Sequence, residues 1–133
     1  MYVIAAIGHI GRDLTKKEFE SSPNRDTMVE AIMDFTIEQV YKKTSRDLGA
    51  ERMIVSEKRA LPSDIGIKFY ISTAHIKDNV TTLIAGTHIA PFGKPYMVTF
   101  TMVSPVDKTA TRDNATITRV FRSFHILGEK PIN

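Results

Sequence analysis

Pro95-Tyr96-Met97-Val98-Thr99-Phe100-Thr101-Met102-Val103 is the stretch whose reading decides the fold. Tyr96, Val98, Phe100 and Met102 recur at every second position, the period of a strand with one apolar face. A Pro-bounded loop follows. Beyond it Ile117, Val120, Phe121 and Phe124 fall at i, i+3, i+4 and i+7, one side of a helix, and the segment closes on Phe121-Arg122-Ser123-Phe124-His125-Ile126. The spacing predicts a sheet whose final strand hands over to an amphipathic helix at 112–125.

Upstream, the same period of two continues. A strand is expected at 52–59, and Ile65, Ile67, Phe69 and Ile71 share a strand face with Lys68 and Ser72 opposite. Asp78-Asn79 has the composition of a two-residue hairpin turn, which would set His75 opposite Thr82 and His88 opposite Phe69. A strand at 80–89 then leads through Pro91-Phe92-Gly93-Lys94-Pro95 into the deciding stretch. These segments form an antiparallel meander.

Before residue 50 the period is helical. Thr15-Lys16-Lys17-Glu18 has the capping-box form, and Ser21-Ser22-Pro23 stops that short helix. Asp26 or Thr27 is placed to cap a main helix at 26–43, with Gly49 as its stop. The opening run, residues 2–10, is continuously apolar, as suits a central strand covered on both faces.

Strand, helix pair, contiguous strands, helix is an α+β order. The expected fold is a twisted antiparallel β-sheet of about five strands, a meander, covered by a long helix and a C-terminal helix. The expected core is Ile4, Ile7, Ile32, Phe35, Ile67, Phe69, Ile71, Val98, Phe100, Ile117, Val120, Phe121 and Phe124. At 133 residues, 42% hydrophobic and 25% charged, one globular domain over 1–133 is expected. The formal charge of +3 is carried by basic residues in ones and twos, so no basic tract marks a polyanion partner. The absence of cysteine excludes disulfides, thiolate zinc sites and a cysteine nucleophile. No stretch reaches the ~18 apolar residues of a membrane-spanning helix.

The residues Thr15 to Phe19, the strand Tyr96 to Met102, and Arg122-Ser123-Phe124-His125-Ile126 give an order of elements that resembles the PsbP-like superfamily. That group includes photosystem extrinsic proteins, Ran-binding Mog proteins and bacterial DcrB-like proteins. The resemblance implies a bacterial accessory protein of the cell envelope or periplasm, with an export signal absent from this chain. It carries no catalytic motif. Family members usually start with a strand pair bearing Pro and Trp, whereas this chain has no Trp and starts on its apolar strand. A missing N-terminal hairpin would leave a hydrogen-bonding sheet edge open around Tyr2–Ile7.

No chemistry-bearing constellation stands out. Ile7-Gly8-His9-Ile10-Gly11-Arg12 has a Gly-x-x-Gly, yet the clamp of RNA-binding KH domains needs a helix before the first Gly. A single-strand-binding barrel needs stacking aromatics along its strands, and the chain has no Trp. His9, His75, His88 and His125 have no metal-ligand spacing and read as surface or strand-end residues. No serine lies in a Gly-x-Ser-x-Gly elbow. The Phe92-Lys94-Tyr96 corner, an aromatic pair on a rigid turn beside a lysine, is the candidate protein-contact site.

The expected function is therefore a non-catalytic accessory or binding protein acting through protein–protein contacts, with no cofactor. Its partner would be another protein or a second copy joined through a sheet edge. The alternative is a small-ligand or lipid-binding domain with a pocket between sheet and helices. Single-stranded nucleic-acid binding has the least behind it.

Overall fold

The computed structural model describes residues 2–9 and 14–105. The protein is α+β, with an antiparallel open sheet and helices against one of its faces. In chain order it runs β1 (Tyr2–His9), α1 (Lys16–Ser21), α2 (Arg25–Thr36), a π-helical turn (Ile37–Tyr41), α3 (Lys42–Asp47), β2 (Arg52–Leu61), β3 (Gly66–Lys77), β4 (Val80–Pro91) and β5 (Tyr96–Pro105). β2 to β5 form the meander, and β5 then pairs with β1, giving the order β1-β5-β4-β3-β2.

Local chemistry accounts for the boundaries. The Thr15 hydroxyl accepts from the amide of Glu18 at 3.1 Å, capping α1. The main helix starts at Arg25 with Asn24 as its cap residue, ahead of the expected Asp26 or Thr27. Its run is continuous with the π-helical turn, where the amide of Lys42 reaches back five residues to the Ile37 carbonyl. That wider turn suits the inward-facing set Met33, Ile37, Tyr41 and Ser45, spaced four apart, which would rotate off the sheet in an unbroken α-helix. Phe35 falls outside this set and is 46% exposed, not in the core as expected. Ile32 is half-buried.

α3 ends in a Schellman motif: Ala50 N–H donates to Ser45 O at 2.9 Å and Gly49 N–H to Arg46 O at 3.0 Å. The reversal needs Gly49 at φ +69. β3 and β4 are joined by Asp78 (φ 50) and Asn79 (φ 64), the left-handed pair of a type I′ hairpin. His75 pairs with Thr82 and His88 with Phe69, the register that this turn dictates.

The core on the helix side holds Met33, Ile37, Tyr41, Ile67, Phe69, Ile71, Ile84, Ala90, Met97 and Val103. On β5 this corrects the expected pattern. Met97, Thr99, Thr101 and Val103 face the helices and are buried, while Val98 and Phe100 lie half-buried on the other face. The threonines look like the solvent side in sequence. They are buried because His88 gives Thr99 a hydrogen-bond partner and Gly86, opposite Thr101, leaves room for Tyr41.

The opposite face is buried as well: Ile89, Thr87, Met102, Ser104 and Ala85 are all under one-tenth exposed. The helix expected at 112–125, with Ile117, Val120, Phe121 and Phe124, lies outside the described residues, as does His125. The other correction concerns the opening run. β1 is an edge strand and not a central one, since its one neighbour among the described residues is β5. Ile4 sits opposite Thr101, and Ile7 opposite Val98.

Candidate functional site

Two histidines read from sequence as surface or strand-end residues are buried: His75 is 2% exposed and His88 is 0% exposed. Both sit on the helix-facing side of the sheet, because the hairpin register puts positions 69, 71, 73 and 75 of β3 level with 88, 86, 84 and 82 of β4. The sequence signal for their burial is faint. Each alternates in phase with apolar positions, His75 with Phe69 and Ile71, and His88 with Ile84 and Ala90.

His88 is fully satisfied. Its Nε2 lies 2.6 Å from the Tyr41 hydroxyl and its Nδ1 lies 3.0 Å from Thr99 Oγ1. The Tyr41 hydroxyl is 3.5 Å from the Ile71 carbonyl, so the phenol proton goes to the nearer His88 Nε2. The imidazole then donates from Nδ1 to Thr99. The ring stacks on Phe69 at 5.1 Å and meets Tyr41 edge-on at 5.6 Å. Burial lowers the His88 pKa to about 3 and raises that of the Tyr41 phenol well above its usual value, so both stay neutral. Gly86 makes the approach possible: a Cβ there would meet the Tyr41 hydroxyl, Thr101 Cγ2 at 2.6 Å and His88 Nε2 at 2.8 Å. This network fastens helix to sheet.

His75 is satisfied on one side only. Its Nε2 is 2.7 Å from Thr73 Oγ1, which donates to the Ile84 carbonyl at 3.2 Å. Thr73 thus lies between the ring and the β4 backbone. Nδ1 is buried and has no hydrogen-bond partner among the described residues. Burial lowers the His75 pKa, favouring the neutral ring.

His75 forms part of the wall of a cavity of about 280 Å³, with Leu48, Ala50, Lys77, Val80 and Thr82. The cavity exists because two tight turns meet, the Schellman loop after α3 and the β3–β4 hairpin. Glu51 N–H donates to Ile76 O at 2.8 Å and holds the two together.

The Phe92-Lys94-Tyr96 corner lies at the other end of the sheet. Phe92 is half-buried against the Phe19 ring at 5.6 Å, and its amide donates to Ile65 O at 2.8 Å. Lys94 is exposed after Gly93 at φ +73, and Gly93 N–H donates to Leu14 O at 2.8 Å. Tyr96 is half-buried at the start of β5, paired with His9. The three residues thus flank the last pair of the β1–β5 ladder.

Among the described residues no group of three or more His, Asp or Glu side chains is placed to hold a metal ion. None of the helices described there is long and apolar enough to cross a membrane. No protein-family model and no curated protein matches the chain.

Proposed function

We propose that the chain is a non-catalytic binding protein of the PsbP-like kind that works through protein contacts, adding a strand of a second copy at the β1 edge of its sheet. The observation that carries this reading is the contrast between the two edges. β2 is built to refuse a neighbour: it bulges between Val55 and Glu57 and carries Arg52, Glu57, Lys58 and Arg59. Lys58 is tied back to α2 through Glu30 at 2.9 Å and Asp34 at 3.0 Å. β1 has none of these devices. Tyr2-Val3-Ile4-Ala5-Ala6-Ile7-Gly8-His9 contains no proline and no Asp, Glu, Lys or Arg, and β5 is its one neighbour among the described residues.

Two such edges can pair antiparallel about a two-fold axis with nothing to repel them. The exposed Lys94 and the half-buried Tyr96 stand beside the His9 end of this edge, where a contact corner would extend the interface. PsbP-like membership rests on the resemblance in sequence. The helix read at 112–125 belongs to the same proposal. It would cover the sheet face that carries Ile89 and Met102, which are buried although the described helices pack on the other side.

The test is sedimentation equilibrium at micromolar concentration, where a dimer is expected. Successive residues of a strand point their amides to opposite sides, so of Ile4→Pro and Ala5→Pro one removes an outward donor and the other breaks the β5 ladder. The outward variant should be a folded monomer. A wild-type monomer at these concentrations overturns the proposal.

A further inference from the structure

The β3–β4 hairpin sets the hydrogen-bonding phase of the sheet as far as the β1 edge. In an antiparallel ladder, opposed residues alternate between pairs that exchange both backbone bonds and pairs that exchange none, so each residue turns its amide and carbonyl to one side. The two-residue turn Asp78-Asn79 is closed by Lys77 and Val80, a pair that exchanges both. Odd-numbered residues of β3 therefore bond to even-numbered residues of β4, and even-numbered residues of β3 bond to β2. Two backbone bonds beyond the ladder ends agree: Phe92 N–H donates to the Ile65 carbonyl and Glu51 N–H to the Ile76 carbonyl, each at 2.8 Å. The β4–β5 and β1–β5 registers run without a shift, so the alternation carries across them. Odd β4 residues bond to even β5 residues, and odd β5 residues to even β1 residues. The backbone groups of Val3, Ala5, Ile7 and His9 are the ones turned away from β5.

We propose that two copies join at this edge in a single register, with Val3 opposite His9 and Ala5 opposite Ile7 of the second copy, and Ala6 opposite Ala6 on the two-fold axis. The register rests on the edge pairing put forward above and specifies it. Bonds form only between residues turned outward, so each bonded pair joins two odd-numbered positions. Centring the axis on Ala6 gives every one of Val3, Ala5, Ile7 and His9 a partner within β1. Centring it on Ala5 leaves His9 of each copy without a partner in β1, and centring it on Ile7 leaves Val3 without one. The pair on the axis is then of the non-bonded kind, in which the backbones approach to about 4.5 Å between Cα atoms, and the sequence places alanine there. A two-fold that sets antiparallel strands side by side stands perpendicular to the sheet, so both copies carry their helices on the same face of the joined sheet.

The chain has no cysteine, so single cysteine substitutions report without background. Sedimentation equilibrium at micromolar concentration comes first; a monomer overturns the edge pairing itself, and the register with it. Ala6→Cys and Ala5→Cys are then oxidised under mild conditions, and linked dimer is measured on a non-reducing gel. With the axis on Ala6, the two Cα atoms at position 6 lie about 4.5 Å apart, within the ~4.4–6.8 Å span of a disulfide, whereas those at position 5 lie roughly 8–9 Å apart. Ala6→Cys should convert to linked dimer and Ala5→Cys should not. Equal yields, no link in either, or a preference for Ala5→Cys refutes the register while the dimer stands. Hydrogen exchange on the unmodified chain reads the same register without a substitution. The amides of Val3, Ala5, Ile7 and His9 should be protected in the dimer and lose protection on dilution, while those of Ile4, Ala6 and Gly8 stay protected throughout. A dimer in which His9 or Val3 gains no protection moves the axis off Ala6 and refutes the proposal.

Discussion

Acid should unfold this protein through His88, and the size of the effect follows from its surroundings. The ring is packed against Tyr41, Phe69 and Thr99, none of which carries a charge that could hold a proton in place. Its pKa in the fold is about 3, against about 6.5 for a histidine in an unfolded chain. The unfolded state therefore binds the extra proton between these values, and stability is lost as pH falls from about 6.5 toward 3. At about pH 4.5 the unfolded ring is almost fully protonated and the folded one is not, a loss of about 2.5 kcal/mol relative to pH 7. Against the ~5–15 kcal/mol of a typical domain this is a large share. The assay is urea unfolding by circular dichroism at both pH values, for the wild type and for His88→Gln. Glutamine has no charge to gain, so it removes this slope while carboxylates and His75 contribute equally to both proteins. The wild type should lose about 2.5 kcal/mol more than the variant. A difference below about 1 kcal/mol, or a His88 titration by NMR near pH 6, would refute the reading of a buried neutral ring.

Two further outcomes follow from backbone positions. Gly86→Ala places a methyl group between Tyr41, Thr101 and His88, and should cost about 2–3 kcal/mol or more in a denaturant titration, the range of an overpacked core. Asn79→Gly relieves a left-handed residue at φ 64 in the type I′ turn and should be neutral or stabilise by up to about 1 kcal/mol in thermal unfolding, because the turn's second position prefers glycine.

The turns and the strand register were legible in the sequence because each depends on a few neighbouring residues. Asp78-Asn79 set the β3–β4 pairing, Gly49 stopped the helix, and Thr15 capped α1. The inward face of β5 was not legible. Hydropathy favoured Tyr96, Val98, Phe100 and Met102, yet the helix side took Met97, Thr99, Thr101 and Val103. Threonine looks polar until its hydroxyl has a buried partner, and that partner is a histidine eleven residues away. The inward face of the helix was hidden for a related reason. A π-helical turn changes the period, so a stripe drawn at 3.6 residues included Phe35, and the structure leaves it exposed. The position of β1 depends on pairing with a strand about a hundred residues later, which no local pattern encodes.

The two buried histidines differ in how fully one sheet face satisfies them. His88 has a partner on each nitrogen, Phe69 stacked on its ring and Tyr41 against it edge-on, so nothing further can reach it without breaking the core. Its role is complete in the folded chain. His75 is also buried, and burial also lowers its pKa, but only one of its nitrogens has a partner among the described residues. Burial alone therefore does not distinguish them; the count of satisfied nitrogens does. Burial favours the neutral form of both rings, and only His75 keeps a nitrogen without a partner among the described residues.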